Sequence, residues 1–211
     1  MFRGGAIKDS ANLSFIFESM GYRVEEYEYR DLKRRDFIDK LENIRRNKEV
    51  DLTKFDSFIL FCLSHGFNNN FLTYDKQEVG VSEIISPFKD EKCPVLAGKP
   101  KIVFLNFCRG NTNELNTSVL QSDDFNPGVE NTAFKDTIIH FASQKNFTAL
   151  RDTGKGTLFV QSICKVLEEY AHSTHLLDME KLFSNEMTKN KATTTEIQIL
   201  GFCKDFYFNP K

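Results

Sequence analysis

The chain has 211 residues, 40% of them apolar and 27% charged, with a net charge of −2 at pH 7. This length favours one sizeable core over two, and the composition is ordinary for a globular protein. The charge balance excludes an electrostatic case for nucleic acid or an anionic membrane surface, and no window reaches the roughly 18 uninterrupted apolar residues of a membrane span.

Segment by segment, the pattern alternates between helix and strand. In KDSANLSFIFESMGY, Asp9 or Ser10 can cap a helix, Leu13, Ile16, Phe17 and Met20 recur at helical spacing, and Gly21 can end it. YRVEEYEY alternates as a strand with one wetter face. RDLKRRDFIDKLENI places Leu32, Phe37, Ile38, Leu41 and Ile44 on one face of a second helix. DSFILFCLSHG is a short apolar run closed by Ser-His-Gly, which predicts a strand buried on both faces. Ser82 can cap a short helix through SEIISPF, limited by Pro87. KPKIVFLNF is a second buried strand, closed by Cys-Arg-Gly, and DTIIHFAS a weaker one. GTLFVQSICKVLEEYA predicts a helix and TEIQILGF a last strand. The 21 phenylalanines, with no tryptophan, read as core filling. Such alternation predicts an α/β three-layer sandwich with a mainly parallel central sheet.

Residues 111–134 differ. They are rich in Asn, Ser, Thr and Asp, carry Pro127-Gly128, and show little periodicity. A stretch of this kind predicts an exposed linker open to proteolytic nicking. It divides a single domain into residues 1–110 and 135–211.

In parallel sheets chemistry gathers at the carboxyl ends of strands, where SHG and CRG both fall. A lone cysteine closing an apolar run is usually structural. The two strand ends together point instead to a nucleophile, Cys108, with His65 as its base. A thiolate needs a basic or cationic neighbour, and the oxyanion it generates needs N–H donors. Gly66 and Gly110 allow backbone to approach a substrate closely. The five cysteines, at 62, 93, 108, 164 and 203, are odd in number and contain no C-x-x-C pair, so neither a disulfide framework nor a metal site is expected. MFRGGAIKDS lacks the apolar stretch of a signal peptide, so a cytoplasmic, reducing location is expected. His140 reads as structural, and His172 and His175 as solvated.

NFCRG, with a histidine 43 residues upstream in LSHGF, resembles the caspase signature Q-A-C-[RQG]-G, whose histidine lies about 50 residues upstream. The resemblance covers nearly the whole chain. RGGAIKDSANLSFIFESMGYRV is similar to the start of the family's large subunit, and DSFILFCLSHG and KPKIVFLNFCRG to its catalytic strands. Residues 136–171 are similar to its small subunit, and KDFYFNP to its ending.

This resemblance implies a cysteine endopeptidase cutting after aspartate in apoptosis-type signalling, without metal or organic cofactor. It would act on protein substrates as a homodimer or heterodimer, with a sheet partly completed by the partner. Cys108 would be the nucleophile, His65 the general base and acid, and the N–H groups of Gly66 and Cys108 the oxyanion donors. Arg3, Asn106 and Arg151 would hold the substrate aspartate, Leu150 and Leu158 would line the next pocket, and Asp123 or Asp124 would be the processing site. Paired guanidinium forks suit a carboxylate withdrawn from water. Arg109 reads as a loop-anchoring charge.

Four features depart from the family. Asn106 stands for a glutamine, and Phe107 for a small residue, which predicts crowding of the thiol. Residues 148–150 read TAL, where the family often has an aromatic. Met1 lies two residues before Arg3, so either the chain is a fragment or the fold lacks the family's first central strand. These departures keep a second expectation open, a degenerate regulator that pairs with an active caspase. A third is a thiol enzyme of another kind on a doubly wound sheet.

Overall fold

The computed structural model describes residues 4–25, 32–48, 50–110, 133–145, 147, 151–152, 156–190 and 194–208, the pair 151–152 by backbone alone. In chain order the regular elements are helices α1 (Gly4–Ser19) and α2 (Arg34–Arg45), strands β1 (Phe58–Leu63), β2 (His65–Phe67), β3 (Asn70–Leu72) and β4 (Glu78–Val79), and helix α3 (Val81–Ile85). There follow β5 (Lys101–Asn106), β6 (Thr137–Phe141), β7 (Arg151–Asp152), β8 (Gly156–Thr157), α4 (Leu158–Tyr170), α5 (Leu176–Lys189) and β9 (Glu196–Leu200).

The central sheet has the order β1-β5-β6-β9. β1, β5 and β6 run parallel, and β9 pairs antiparallel with β6. Side chains of β5 alternate between two cores. Ile102 and Phe104 pack against α1, α4 and α5, while Val103 and Leu105 pack against α2 and α3. A strand covered on both sides is mainly apolar; all six residues of β5 and all five of β6 are buried, and the polar ones among them, Lys101, Asn106, Thr137 and His140, each have a polar partner. The result is the expected three-layer sandwich. His140 on β6 is buried in it, stacked on Phe104 with ring centroids 4.5 Å apart and with Nδ1 2.6 Å from Glu180. His172 is exposed, whereas His175 is half-buried beside Asp178 and Tyr207.

Several sequence expectations are revised. Asp9 does not cap α1, which starts at Gly4; it lies inside the helix and is 1% exposed. Ser82 does not cap α3. Gly80 holds that position, and the Glu83 carboxylate accepts its N–H at 3.0 Å. β1 is mostly half-buried rather than covered on both faces. Among the described residues its only neighbour is β5, and a cavity of about 1790 Å³ runs along its other side, between Phe17 and Tyr22 and the α2 residues Leu41 and Ile44. Residues 22–25 are not in a strand, having no ladder partner among the described residues, and 26–31 lie outside them.

α5 was not anticipated, although Leu176, Met179, Phe183 and Met187 recur at three- and four-residue spacing and are all at most 1% exposed. The hairpin formed by β2 and β3, with its third strand β4, was also missed. Its signal is Asn68-Asn69, both at positive φ (48° and 63°), a two-residue turn of the kind that matches strand twist.

Candidate active site

The register of β1 on β5 places the two candidate residues. The last paired residues are Leu63 and Asn106, and the ladder continues through the Ser64 N–H to the Asn106 carbonyl at 3.1 Å. His65 and Cys108 each lie two residues past that pair, on adjacent parallel strands, at the carboxyl edge of the sheet. His65 is exposed and Cys108 half-exposed, and Cys108 is in no disulfide.

Gly66 fixes how closely the two chains can approach. A Cβ added there would lie 2.4 Å from the Cys108 carbonyl oxygen, 2.4 Å from the Phe107 ring and 2.9 Å from the Asn70 carbonyl oxygen. Only hydrogen fits, so the glycine is required for packing. The β2–β3 turn closes on Phe67 and Asn70. Antiparallel alternation then makes Gly66–Phe71 a non-hydrogen-bonded pair and turns the Gly66 N–H away from β3. The expected crowding by Phe107 does not occur. Its side chain is 1% exposed, set between Phe71 and Phe141 in the core.

Arg109 is the loop anchor that its sequence position predicts. It is 2% exposed, donates through Nε to the Asn69 side chain (2.6 Å) and through Nη1 to the Ser143 carbonyl (3.1 Å), pairs with Glu196 at 2.9 Å, and lies over the Phe141 ring. One guanidinium thus ties the β2–β3 turn, the end of β6 and the start of β9 to the residue after Cys108. Burial pushes the Glu196 carboxyl up, but the Arg109 and Lys145 N–H donors outweigh it and hold the group below the usual carboxylate range. A buried charge of this kind is tolerated because Nε, Nη1 and the guanidinium face are all partnered.

Asn106 is 3% exposed, and its amide N–H donates to the Thr157 hydroxyl at 2.8 Å. That hydroxyl also caps α4 by accepting the Val160 N–H at 3.3 Å, and the Thr157 N–H donates to Asp9 at 2.8 Å. Burial raises the Asp9 carboxyl to about 6, against the pull of the Thr157 N–H and hydroxyl.

A family model described as the caspase domain matches residues 1–207. The chain belongs to the caspase domain family. Caspase Dronc of Drosophila melanogaster is 27% identical over 99% of this chain and 52% of its own length, and caspase-6 of Gallus gallus is 26% identical over 99% of this chain and 75% of its own. The chain therefore spans about half the length of the first of these relatives. The crystal structure of caspase-1 from Spodoptera frugiperda matches the fold with a TM-score of 0.78 at 20% identity, over all of this chain and 84% of that one.

Against the caspase-derived assignments, the structure brings His65, Gly66, Asn106 and Cys108 to one sheet edge. Arg151 pairs by its backbone with Thr157 in the β7–β8 ladder, which sets it on the segment bonded to Asn106. Leu158, half-buried, opens α4 next to Thr157. Arg3, Leu150, Asp123 and Asp124, and linker residues 111–132, lie outside the described residues. Phe134, at the linker's end, packs on the core under Lys89. Among the described residues no group of three or more His, Cys, Asp or Glu is arranged to hold a metal ion.

Two outcomes are expected. Gly66→Ala should destabilise the fold by about 1–3 kcal/mol in urea unfolding, because the new methyl group meets backbone oxygen rather than a yielding side chain. The contribution of Asp9 to folding stability should fall as pH rises from about 4 to about 6, since native Asp9 retains its proton to a pKa of about 6 while the unfolded chain releases it near 3.8. The stability difference between wild type and Asp9→Asn, followed by denaturant midpoint against pH, should carry that slope; a pH-independent difference would contradict it.

Proposed function

We propose that the chain is a cysteine endopeptidase that cleaves protein substrates after aspartate. The observation that carries this reading is the matched position of His65 and Cys108, each two residues past the same register pair on adjacent parallel strands. In the reaction, the Cys108 sulfur attacks the scissile carbonyl carbon as its proton passes to His65. The Gly66 and Cys108 N–H groups receive the charge on the carbonyl oxygen. The C–N bond then breaks, and His65 returns the proton to the leaving amine. Water activated by His65 hydrolyses the thioester and restores the thiol.

Acid selectivity is assigned to Arg151, with Arg3 as its partner. A carboxylate withdrawn from water needs a charged, forked donor. Asn106 is held by Thr157 and, on this reading, supports the subsite more than it extends into it. Leu150 and Leu158 make the neighbouring pocket apolar. Dimerisation is assigned to β9, whose only strand partner among the described residues is β6 and which exposes Ile199. A reducing, cytoplasmic setting suits a thiol nucleophile, and proteolytic signalling of the apoptotic type is the biological role that follows.

One observation favours a second reading, a regulator that pairs with an active caspase. Among the described residues β1 is paired on one side only, with a large cavity that reaches His65 along the other, and a strand edge without a partner invites a strand from another chain.

Turnover of an aspartyl peptide reporter separates the two. Wild type should cleave it. Cys108→Ala and His65→Ala should each lose activity by about 10³-fold or more, and Arg151→Ala should lose the preference for Asp over Asn. Full turnover in either dyad variant would refute the mechanism, and no turnover in wild type would favour the regulator.

A further inference from the structure

Asp9 is a buried carboxylate that the mechanism does not use. It sits in the middle of α1, where it caps nothing of its own helix, and it reaches instead to the start of α4. Its Oδ1 accepts the Thr157 N–H at 2.8 Å. The Thr157 hydroxyl accepts from both Asn106 and Val160, which leaves its own proton free to be given. Contact is close enough to dictate the preceding residue. Gly156 has φ +97°, and a Cβ there would lie 2.3 Å from Asp9 Oδ1.

Thr157 is therefore a node with three outputs. Its hydroxyl holds Asn106, two residues before Cys108. Its backbone is the ladder partner of Arg151. Its own position starts α4. The only ionisable group bonded to this node among the described residues is Asp9. An Arg–carboxylate fork is sensitive to angle as well as distance, and a displacement of about 1 Å in a positioning element can cost on the order of a hundredfold in rate.

We propose that Asp9 is a positioning residue for the acid-recognition subsite: by holding Thr157 it sets the backbone of Arg151 against the end of β5, so that selectivity for an acidic substrate side chain depends on a carboxylate in α1. This rests on the reading of the chain as an aspartate-directed peptidase. An anchor of stability alone would lower the folded fraction and leave selectivity per competent site unchanged.

The test is the ratio of kcat/KM for matched Asp and Asn reporters, normalised to competent thiol counted by iodoacetamide labelling of Cys108, which needs no acid recognition. Asp9→Ala should reduce that ratio by about tenfold or more, chiefly through a raised KM for the Asp reporter. Asp9→Asn keeps an oxygen able to accept from Thr157 and should stay within a few-fold of wild type. If Asp9→Ala does not fold, Asp9→Ser, which draws its oxygen back from Thr157, should show the same loss. An unchanged ratio in the folded Ala or Ser variant overturns the positioning role while the peptidase reading stands. A wild type that takes up iodoacetamide but cleaves neither reporter overturns that reading, and this inference with it.

Discussion

The approach of Gly66 to the Cys108 carbonyl sets the geometry of the site. Two parallel strands would normally leave their ends apart, free to splay into whatever loops follow. Here the chain after β1 folds straight into a hairpin whose second residue has no side chain and lies against the backbone of Cys108. That contact brings the SHG and CRG ends together. Phe107 secures it from below, because its ring enters the core between Phe71 and Phe141 and leaves the next residue on the opposite side of the chain. Arg109 secures it from behind by bonding the far end of the same hairpin through Asn69.

Charge placement follows from this. Arg109 and Asp9 are both almost fully buried. Arg109 is stabilised by hydrogen bonds to Asn69 and Ser143 and by an ion pair with Glu196, and Asp9 by the Thr157 N–H. Removing a partner would leave an uncompensated charge away from water, which costs far more than the pair contributes. The site is thus supported by charged groups that hold backbone in place, while His65 and Cys108 remain open to solvent.

Much of this was legible in the sequence. The apolar runs FILFCL and KIVFLN gave the two parallel strands, although only the second is covered on both faces. The glycines and the reactive side chains at their ends marked the site. The role of Arg109 was readable from its position just past the end of a buried strand. Other features were not. Asp9 looked like a helix cap, since Asp near the start of an apolar-periodic segment usually is one. Its actual partner, Thr157, is 148 residues away, and no local pattern carries that information. The half-burial of β1 depends on the absence of a neighbouring strand among the described residues, a property of the assembled sheet and not of FILFCL. The signal for α5, by contrast, is present, since Leu176, Met179, Phe183 and Met187 recur as regularly as the apolar residues of α2.

The central claim is that the sheet edge at Leu63 and Asn106 presents Cys108 as an activated nucleophile beside His65, directed to an aspartyl substrate. Mass spectrometry of the chain after exposure to a limiting amount of an aspartyl peptide carrying an acyloxymethyl ketone tests it most directly. The account predicts one covalent adduct, on Cys108, strongly reduced in His65→Ala and blocked by excess aspartyl peptide. Labelling spread over Cys203 and the other cysteines, or on Cys108 at the same rate without His65, would contradict it.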